Sequence, residues 1–541
     1  MFPKKLQRQV ISQPDYPVVR TKYGKLRGLE TDGAFIFRGV QYAKAARFMM
    51  PEEPDCWEGI RNARAFGATC AEVSTVIPAD GFTVPHFVYP QSENCHMLNI
   101  WTPTIDPAAK KPVMLWIHGG GYQHGSSVEI FSYDGEELAK YGDVVVLSLN
   151  HRLHALGYMD LSGYDPERYR YTGNLGTADM VAALKWIKEN ISAFGGDPDN
   201  VMLFGQSGGA GKIQMLLQTP AADGLYHKVS MHSGVESEPG KVVTQENARV
   251  VADYVVRNLG LTVENIREIE TIPFHKLATA ICKAREQYQQ DMGKRLNWAP
   301  AEDGDYYLGN GMYVGFREET KHIPALVGNV LGEFANNVID PDKAEFGLKC
   351  EWDEETVAKR LKMRFGERTE EVCQAFYEAY PEAPIINTMF TSTMMRQNHI
   401  DLAKARAAAG CTVYNWLLTL ELPADGGSTP WHNADEPFIF HNASFVESTY
   451  IPGVTEKLED QMASAWVRFA YTGNPNHPGI PEWTPVTSGP LATMLFDKEC
   501  KMAYGHDQRY VDIVNEMNLS DVGRNGPILS YGGGPRHPDG R

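Results

Sequence analysis

Val201-Met-Leu-Phe-Gly205-Gln-Ser207-Gly-Gly-Ala210 is the stretch around which the rest of the chain is organised. It opens as an apolar run of strand type and closes in Gly-x-Ser-x-Gly. A helix-compatible segment follows, Ala210 to Gln218, with Ile213, Leu216 and Leu217 as its apolar positions. Strand, sharp turn and helix in that order make the pentapeptide a nucleophile elbow; the alternative is a glycine-rich turn with a capping serine. The turn strains the serine backbone, and Gly205 and Gly209 lack the Cβ that would hold strand and helix apart. Ser207 is then left at the tip with its hydroxyl exposed.

A serine hydroxyl is a weak nucleophile at neutral pH. It needs a base within hydrogen-bond reach, an acid that orients the base, and N–H donors where the oxyanion forms. Donors are offered by His118-Gly-Gly-Gly121, which follows the strand-like run Val113 to Ile117 and so falls at a strand end. A phosphate-cradling loop is the rival, but His124 stands where a dinucleotide fingerprint has its third glycine, and no Gly-Lys-Ser/Thr follows. His-Gly-Gly-Gly upstream of Gly-x-Ser-x-Gly is a hydrolase pairing, whose chain order places acid and histidine after the serine. That leaves His227, His232, His275, His322, His399, His432, His441, His477, His506 and His537 open as the base. Turn residues flank His432 in Trp431-His-Asn-Ala, which favours it.

Outward from the elbow, Leu98–Trp101, Val113–Ile117, Val144–Leu149, Val229–His232 and Ala325–Gly328 read as strands, and Thr177–Ala193 as a helix. Val144–Leu149 is wholly apolar, the kind of strand buried on both faces of a parallel sheet. Strands alternating with helices imply an α/β protein with a mostly parallel central sheet covered by helices on both faces. Residues 16–40 predict a small antiparallel N-terminal sheet, 41–95 a proline-rich irregular stretch, and about 340–420 a more helical lobe. The end of the chain, 530–541, reads as a flexible tail.

The net charge of −17 over 541 residues argues against a nucleic-acid partner. The composition, 43% hydrophobic and 22% charged, is that of a globular protein. No apolar run reaches spanning length and none follows the basic N-terminus as a signal peptide would require, so neither membrane nor secretion is expected. Eight cysteines without Cys-x-x-Cys spacing suggest cytoplasmic thiols. No His-Glu-x-x-His or Cys/His cluster calls for a metal, and no cofactor is expected.

Taken together, the motifs resemble those of the type-B carboxylesterase family, the cholinesterase-like branch of the α/β-hydrolase fold. The resemblance runs over roughly 17–515 and implies a single domain there, preceded by an extension at 1–16. It is carried by Phe37-Arg-Gly-Val-Gln-Tyr-Ala43, Arg47-Phe48 and Trp57; by Glu93-Asn-Cys-His-Met-Leu-Asn-Ile100; and by Asn150-His-Arg-Leu153, Gly173-Asn-Leu-Gly176, Asp179 and Phe194-Gly-Gly-Asp-Pro198. Trp466, Phe469-Ala470 and Gly473-Asn-Pro-Asn476 continue it. The resemblance implies an ester hydrolase acting through an acyl-enzyme, with Ser207 as nucleophile, Glu333 in Val327-Gly-Asn-Val-Leu-Gly-Glu333 as the acid, and His432 in His432-Asn-Ala-Asp-Glu-Pro-Phe438 as the base. It places the oxyanion donors at Gly120, Gly121 and Gly208, makes Arg47 and Glu93 an ion pair, and sets Cys70 and Cys95 where secreted members carry a disulfide, expected here as thiols.

Several positions depart from the family pattern. Gln206 stands where Glu is usual, and no tryptophan lies between Cys70 and Cys95, so choline esters are not expected. Gly208 replaces Ala, which is expected to loosen the elbow; Asn433 and Asp435 replace Gly and Glu. Substrate-contacting candidates are Tyr122, Gln123, Gln206, Val235, Phe334, Met389 and Phe390, with His124 near the opening. The expected partner is a small-molecule ester, and the expected state a monomer or small homo-oligomer. Rival readings are a lipase, amidase or thioesterase on the same machinery, or a non-catalytic cholinesterase-like binding protein.

Overall fold

A computed structural model describes residues 9–73, 87–237, 243–335 and 349–519. The expected tail at 530–541 and the start of the N-terminal extension lie outside these residues. The molecule is built on an eleven-stranded sheet. In chain order its strands are β1 (Leu29–Thr31), β2 (Ala34–Gln41), β3 (Met97–Thr102), β4 (Lys111–Ile117), β5 (Val145–Leu149), β6 (Gly196–Gln206), β7 (Lys228–His232), β8 (Ala325–Val330), β9 (Val413–Leu418), β10 (Ala492–Phe496) and β11 (Lys501–Tyr504). Across the sheet the order is β11-β10-β9-β8-β7-β6-β4-β5-β3-β2-β1. The run from β10 to β5 is parallel, and antiparallel strands close both edges.

Alternation along the strands decides the two-sided core, because successive side chains leave a strand on opposite faces. Val113, Leu115 and Ile117 pack with Val201 and Leu203 against α1 (Leu175–Asn190) and α2 (Gly208–Leu216). Met114, Trp116, Met202 and Phe204 face the other way, against a layer that includes Trp466 and Met462 of α4 (Thr455–Thr472). Pro112–Ile117 and Val201–Gln206 are buried throughout, and Val113–Ile117 and Val201–Phe204 read as continuous apolar runs because neither face meets water. The α/β-hydrolase fold is thus the architecture of the chain.

The small antiparallel N-terminal sheet is present, over fewer residues than 16–40, and the helical range about 340–420 ends in a strand. Residues 16–40 divide: Val18–Arg20 and Lys25–Arg27 pair antiparallel and take Ile60–Asn62 as a parallel third strand, whereas Leu29–Thr31 and Ala34–Gln41 join the large sheet. Ala34–Gln41 opens on four apolar residues, runs for eight, and finds a longer partner in β3 than a small sheet offers. The range about 340–420 carries helices Glu354–Phe365, Thr369–Ala379 and α3 (Thr393–Ala408), but its last residues, Val413–Leu418, form the buried strand β9. Among the described residues no helix is long and apolar enough to cross a membrane.

Parallel strands all end on one side of the sheet, and ligands bind at those carboxyl ends in open α/β folds. The His118–Gly121 loop follows β4, Ser207 follows β6, Glu333 follows β8 and His432 lies in the loop after β9. Four segments far apart in sequence therefore meet at one edge.

Candidate active site

Ser207 sits between β6 and α2 with φ 55° and ψ −124°, a conformation that non-glycine residues rarely adopt. It is held there by its neighbours: its N–H donates to the His232 carbonyl at 2.8 Å, and its own carbonyl accepts from Gly211 N–H at 3.2 Å. A Cβ on Gly209 would stand 1.9 Å from the Ile117 carbonyl oxygen, so α2 can start this close to the end of β4 only with glycine there.

Glu333 is fully buried and also has positive φ, 49°. Its N–H and that of Gly332 donate to the Pro430 carbonyl at 3.1 and 3.0 Å, and Glu333 bridges to Trp431. This short main-chain splice brings the loop after β8 to the loop after β9. It sets the His432 ring beside the carboxylate: His432 Nδ1 hydrogen-bonds Glu333 Oε2, while Val330 N–H donates to Oε1 at 3.2 Å. Burial raises the Glu333 carboxyl above its ordinary range, opposed by His432 and by the donors around it.

The second nitrogen of His432, Nε2, is buried and has no hydrogen-bond partner among the described residues. Phe334 lies over the imidazole, ring centroids 4.0 Å apart. Gln206, immediately before Ser207, donates its amide Nε2 to the His432 carbonyl at 2.5 Å. The histidine loop is therefore tied to the residue next to the serine, although Ser207 Oγ and His432 Nε2 do not hydrogen-bond each other.

The glycine loop stands against the elbow. Gly120 and Gly121 have φ 78° and 61°, and Gln123 and His124 N–H groups close a turn onto the Gly120 carbonyl at 3.2 and 3.1 Å. A Cβ on Gly208 would lie 2.3 Å from Gly121 O and 2.4 Å from its N and Cα. The expectation that Gly208 loosens the elbow is reversed: the space an alanine methyl would take is filled by the loop, and the packing is closer.

Of the candidate histidines, His537 lies outside the described residues, and His275 and His322 are exposed. His227, His399 and His477 are held by main-chain groups, and His441 pairs with Asp460 near the surface. His506 lies beside Asp507, away from the strand ends that carry the elbow. His232 imitates a triad, with Nδ1 on Asp435 Oδ2 at 2.9 Å and Nε2 on Ser230 Oγ at 2.6 Å. Both ring nitrogens are occupied, all three side chains are shut off from solvent, and Trp466 donates to Ser230 at 2.9 Å. That set braces the end of β7 against the His432 loop. Sequence reading missed it, and Asp435, the departure from the family pattern, was its one signal.

The pocket candidates are distributed unevenly. Gln206 and Phe334 touch His432. Tyr122 packs edge-on against Tyr158 and reaches toward α2, where a Cβ on Gly211 would meet its hydroxyl at 3.2 Å. Gln123 donates to the Trp298 carbonyl at 2.9 Å, and His124 pairs with Glu72 at 3.0 Å. Val235 is buried in the core beside α2. Met389 packs into the cluster of helices Glu354–Phe365 and Thr369–Ala379, and Phe390 is buried against Trp352. Arg47 and Glu93 form a bidentate pair with both contacts at 2.6 Å, as the resemblance implied, and Cys70 and Cys95 are buried, unbridged thiols.

Comparison with known proteins gives the arrangement its context. Residues 15–514 match the model of the carboxylesterase family. The chain is 30% identical to the para-nitrobenzyl esterase of Bacillus subtilis (strain 168) over 498 residues, covering 90% of this chain and 95% of that protein. It is 28% identical to the phenmedipham hydrolase of Pseudarthrobacter oxydans, covering 89% and 95%. A solved esterase of Clostridium hathewayi, described as able to hydrolyse aliphatic aromatic polyesters, superposes with a TM-score of 0.88 at 41% identity, covering 94% of this chain and 99% of that one.

Proposed function

The chain belongs to the carboxylesterase family and is a carboxylesterase, and from that premise we propose that it cleaves esters with Ser207 as nucleophile, His432 as general base and acid, and Glu333 as the group that orients the imidazole. The ester carbonyl enters above the strand ends. His432 Nε2 takes the Ser207 proton as Oγ bonds to the carbonyl carbon, and the carbonyl electrons pass to the oxygen. N–H groups of Gly120, Gly121 and Gly208 receive that oxyanion. The tetrahedral intermediate collapses, the C–O bond to the alcohol breaks, and His432 hands its proton to the leaving oxygen. Water then repeats the sequence on the acyl-enzyme and restores Ser207. Glu333 keeps its charge throughout and stabilises the imidazolium.

One observation carries this reading: a buried imidazole has one nitrogen on a buried carboxylate and the other left open, on a loop tied to the residue beside a strained serine. Gln206 supports uncharged substrates, because its amide donates to the His432 carbonyl where a carboxylate could not. Esters bearing aromatic rings are the favoured class. Two relatives are named for such compounds, and the Phe334 ring offers an apolar face beside the imidazole. A cytoplasmic location belongs to the same reading and rests on the scattered thiols.

The test compares wild type with Ser207→Ala on p-nitrophenyl acetate and butyrate, an anilide, a thioester and an aliphatic-aromatic polyester film. A fluorophosphonate probe reports covalent labelling. Esters are turned over fastest by the wild type, and Ser207→Ala loses both turnover and label. Turnover at the wild-type rate in that variant removes Ser207 from the mechanism; faster anilide or thioester cleavage moves the protein to the amidase or thioesterase reading.

A further inference from the structure

Lys212 lies on α2, five residues beyond Ser207, and its side chain is completely buried. Buried lysines are usually paired with a carboxylate. This one instead reaches beneath the glycine loop, where its amine donates to the main-chain carbonyls of His118 at 3.0 Å and Gly119 at 3.4 Å. The groups that face it are His118 and His151, stacked on each other with centroids 5.1 Å apart, and Glu129, which attracts it from a greater distance.

Peptide planarity turns this contact into a statement about the oxyanion site. In a trans peptide the C=O and the next residue's N–H lie in one plane and point opposite ways. Fixing the Gly119 carbonyl, which Lys212 at 3.4 Å shares with His118 Nδ1 at 3.0 Å, therefore fixes the direction of the Gly120 N–H, and fixing the His118 carbonyl on Lys212 does the same for Gly119. Glycines resist such rotation least, so a loop of three needs an outside anchor. Building on the serine-hydrolase reading above, we propose that Lys212 is a positioning residue for acyl transfer, its amine anchoring the His118 and Gly119 carbonyls so that the Gly120 N–H is aimed at the developing oxyanion.

Burial draws the amine down to about 7, with only Glu129 opposing. With the folded value below that of the unfolded chain, about 10, this lysine's titration lowers stability as pH falls below about 10. Lys212→Met keeps the length and removes the donors. Its kcat on p-nitrophenyl butyrate is expected to fall about 10- to 100-fold, since misplacing a catalytic donor by about 1 Å costs up to ~10²-fold. KM stays within about threefold, because the interaction acts on charge present only in the transition state. Affinity for a trifluoromethyl ketone, which bonds to the serine and presents an oxyanion, falls by the factor seen in kcat. Wild-type kcat and ketone affinity, or a lowered melting temperature with kcat per folded enzyme retained, would overturn the inference. Should Lys212→Met not fold, Lys212→Gln is judged by the same measure: selective loss of ketone affinity over KM supports the role, and equal retention overturns it. Ser207→Ala is run beside both. If it keeps wild-type turnover, the serine-hydrolase reading falls; if it is inactive while the Lys212 variants match wild type, only the Lys212 inference does.

Discussion

Adding one methyl group at Gly208 probes the oxyanion geometry with the smallest available change. On the present backbone the new Cβ would sit 2.3 Å from Gly121 O and 2.4 Å from Gly121 N and Cα. Non-bonded carbon contacts settle at roughly 3.5–4.0 Å, so about 1 Å of movement is forced. All three opposing atoms are main chain, so no side chain can swing aside to absorb it. Gly121, already at φ 61°, has to retreat and take its N–H with it. Displacement on that scale costs ~10²-fold, and complete loss of one donor ~10²–10³-fold. Gly208→Ala is therefore expected to lower kcat on p-nitrophenyl butyrate by about 10²-fold with KM little changed, because the donors act on charge that develops after substrate is bound. Steady-state kinetics normalised to fluorophosphonate-titrated sites gives the number. A kcat within threefold of wild type would refute the reasoning and mean that the loop has room for a side chain. Alanine is usual at this position in the family the chain resembles, so the loop spacing here is matched to glycine.

Two further substitutions test other parts of the site and its support. Gln206→Glu replaces a donor with a carboxylate against the His432 carbonyl, leaving a buried polar group unsatisfied at about 1–3 kcal/mol; kcat should fall by roughly tenfold or more, and unchanged kinetics would show that the amide does not hold the histidine loop. Asp179 accepts from Arg152 at 2.8 and 2.6 Å and lies 3.1 Å from His96. Burial opposes its charge, but Arg152 and then His96 outweigh that and hold the carboxyl well below the usual carboxylate range. A depressed folded-state value stabilises the protein fully above the unfolded carboxyl's pKa of about 4, and that contribution is lost progressively as pH falls from there toward the folded value. Melting temperatures of the wild type should drop through that acid range; those of Asp179→Asn should lack that component and, at pH 7, reflect a loss of about 3–5 kcal/mol from leaving Arg152 buried and unpaired. Parallel melting curves for the two proteins would show that the pair contributes nothing.

The parallel strands before residue 330 are close to where the sequence places them: Val145–Leu149 against a reading of Val144–Leu149, Lys228–His232 against Val229–His232. Strands buried on both faces carry their signal in an unbroken apolar run, which needs no knowledge of partners. Val413–Leu418 escaped because it follows a long helical stretch and contains a polar Asn415, whose amide donates to the Val327 carbonyl at 2.7 Å. The edge pair Ala492–Phe496 and Lys501–Tyr504 was likewise not read as strands, the second being exposed and weakly patterned.

The elbow and the glycine loop were legible in the chain itself, since a tight turn and a close main-chain approach restrict the residue type at each position, and that restriction is local. Ten histidines remained open as the base on residue chemistry alone. A side chain's role depends on what faces it, and the partners of His432 and His232 lie 99 and 203 residues away along the chain. Only the folded sheet, ending its parallel strands along one edge, brings Glu333 to His432, encloses the Ser230–His232–Asp435 set in the interior, and turns Lys212, one lysine among many in the sequence, into an anchor beneath the loop.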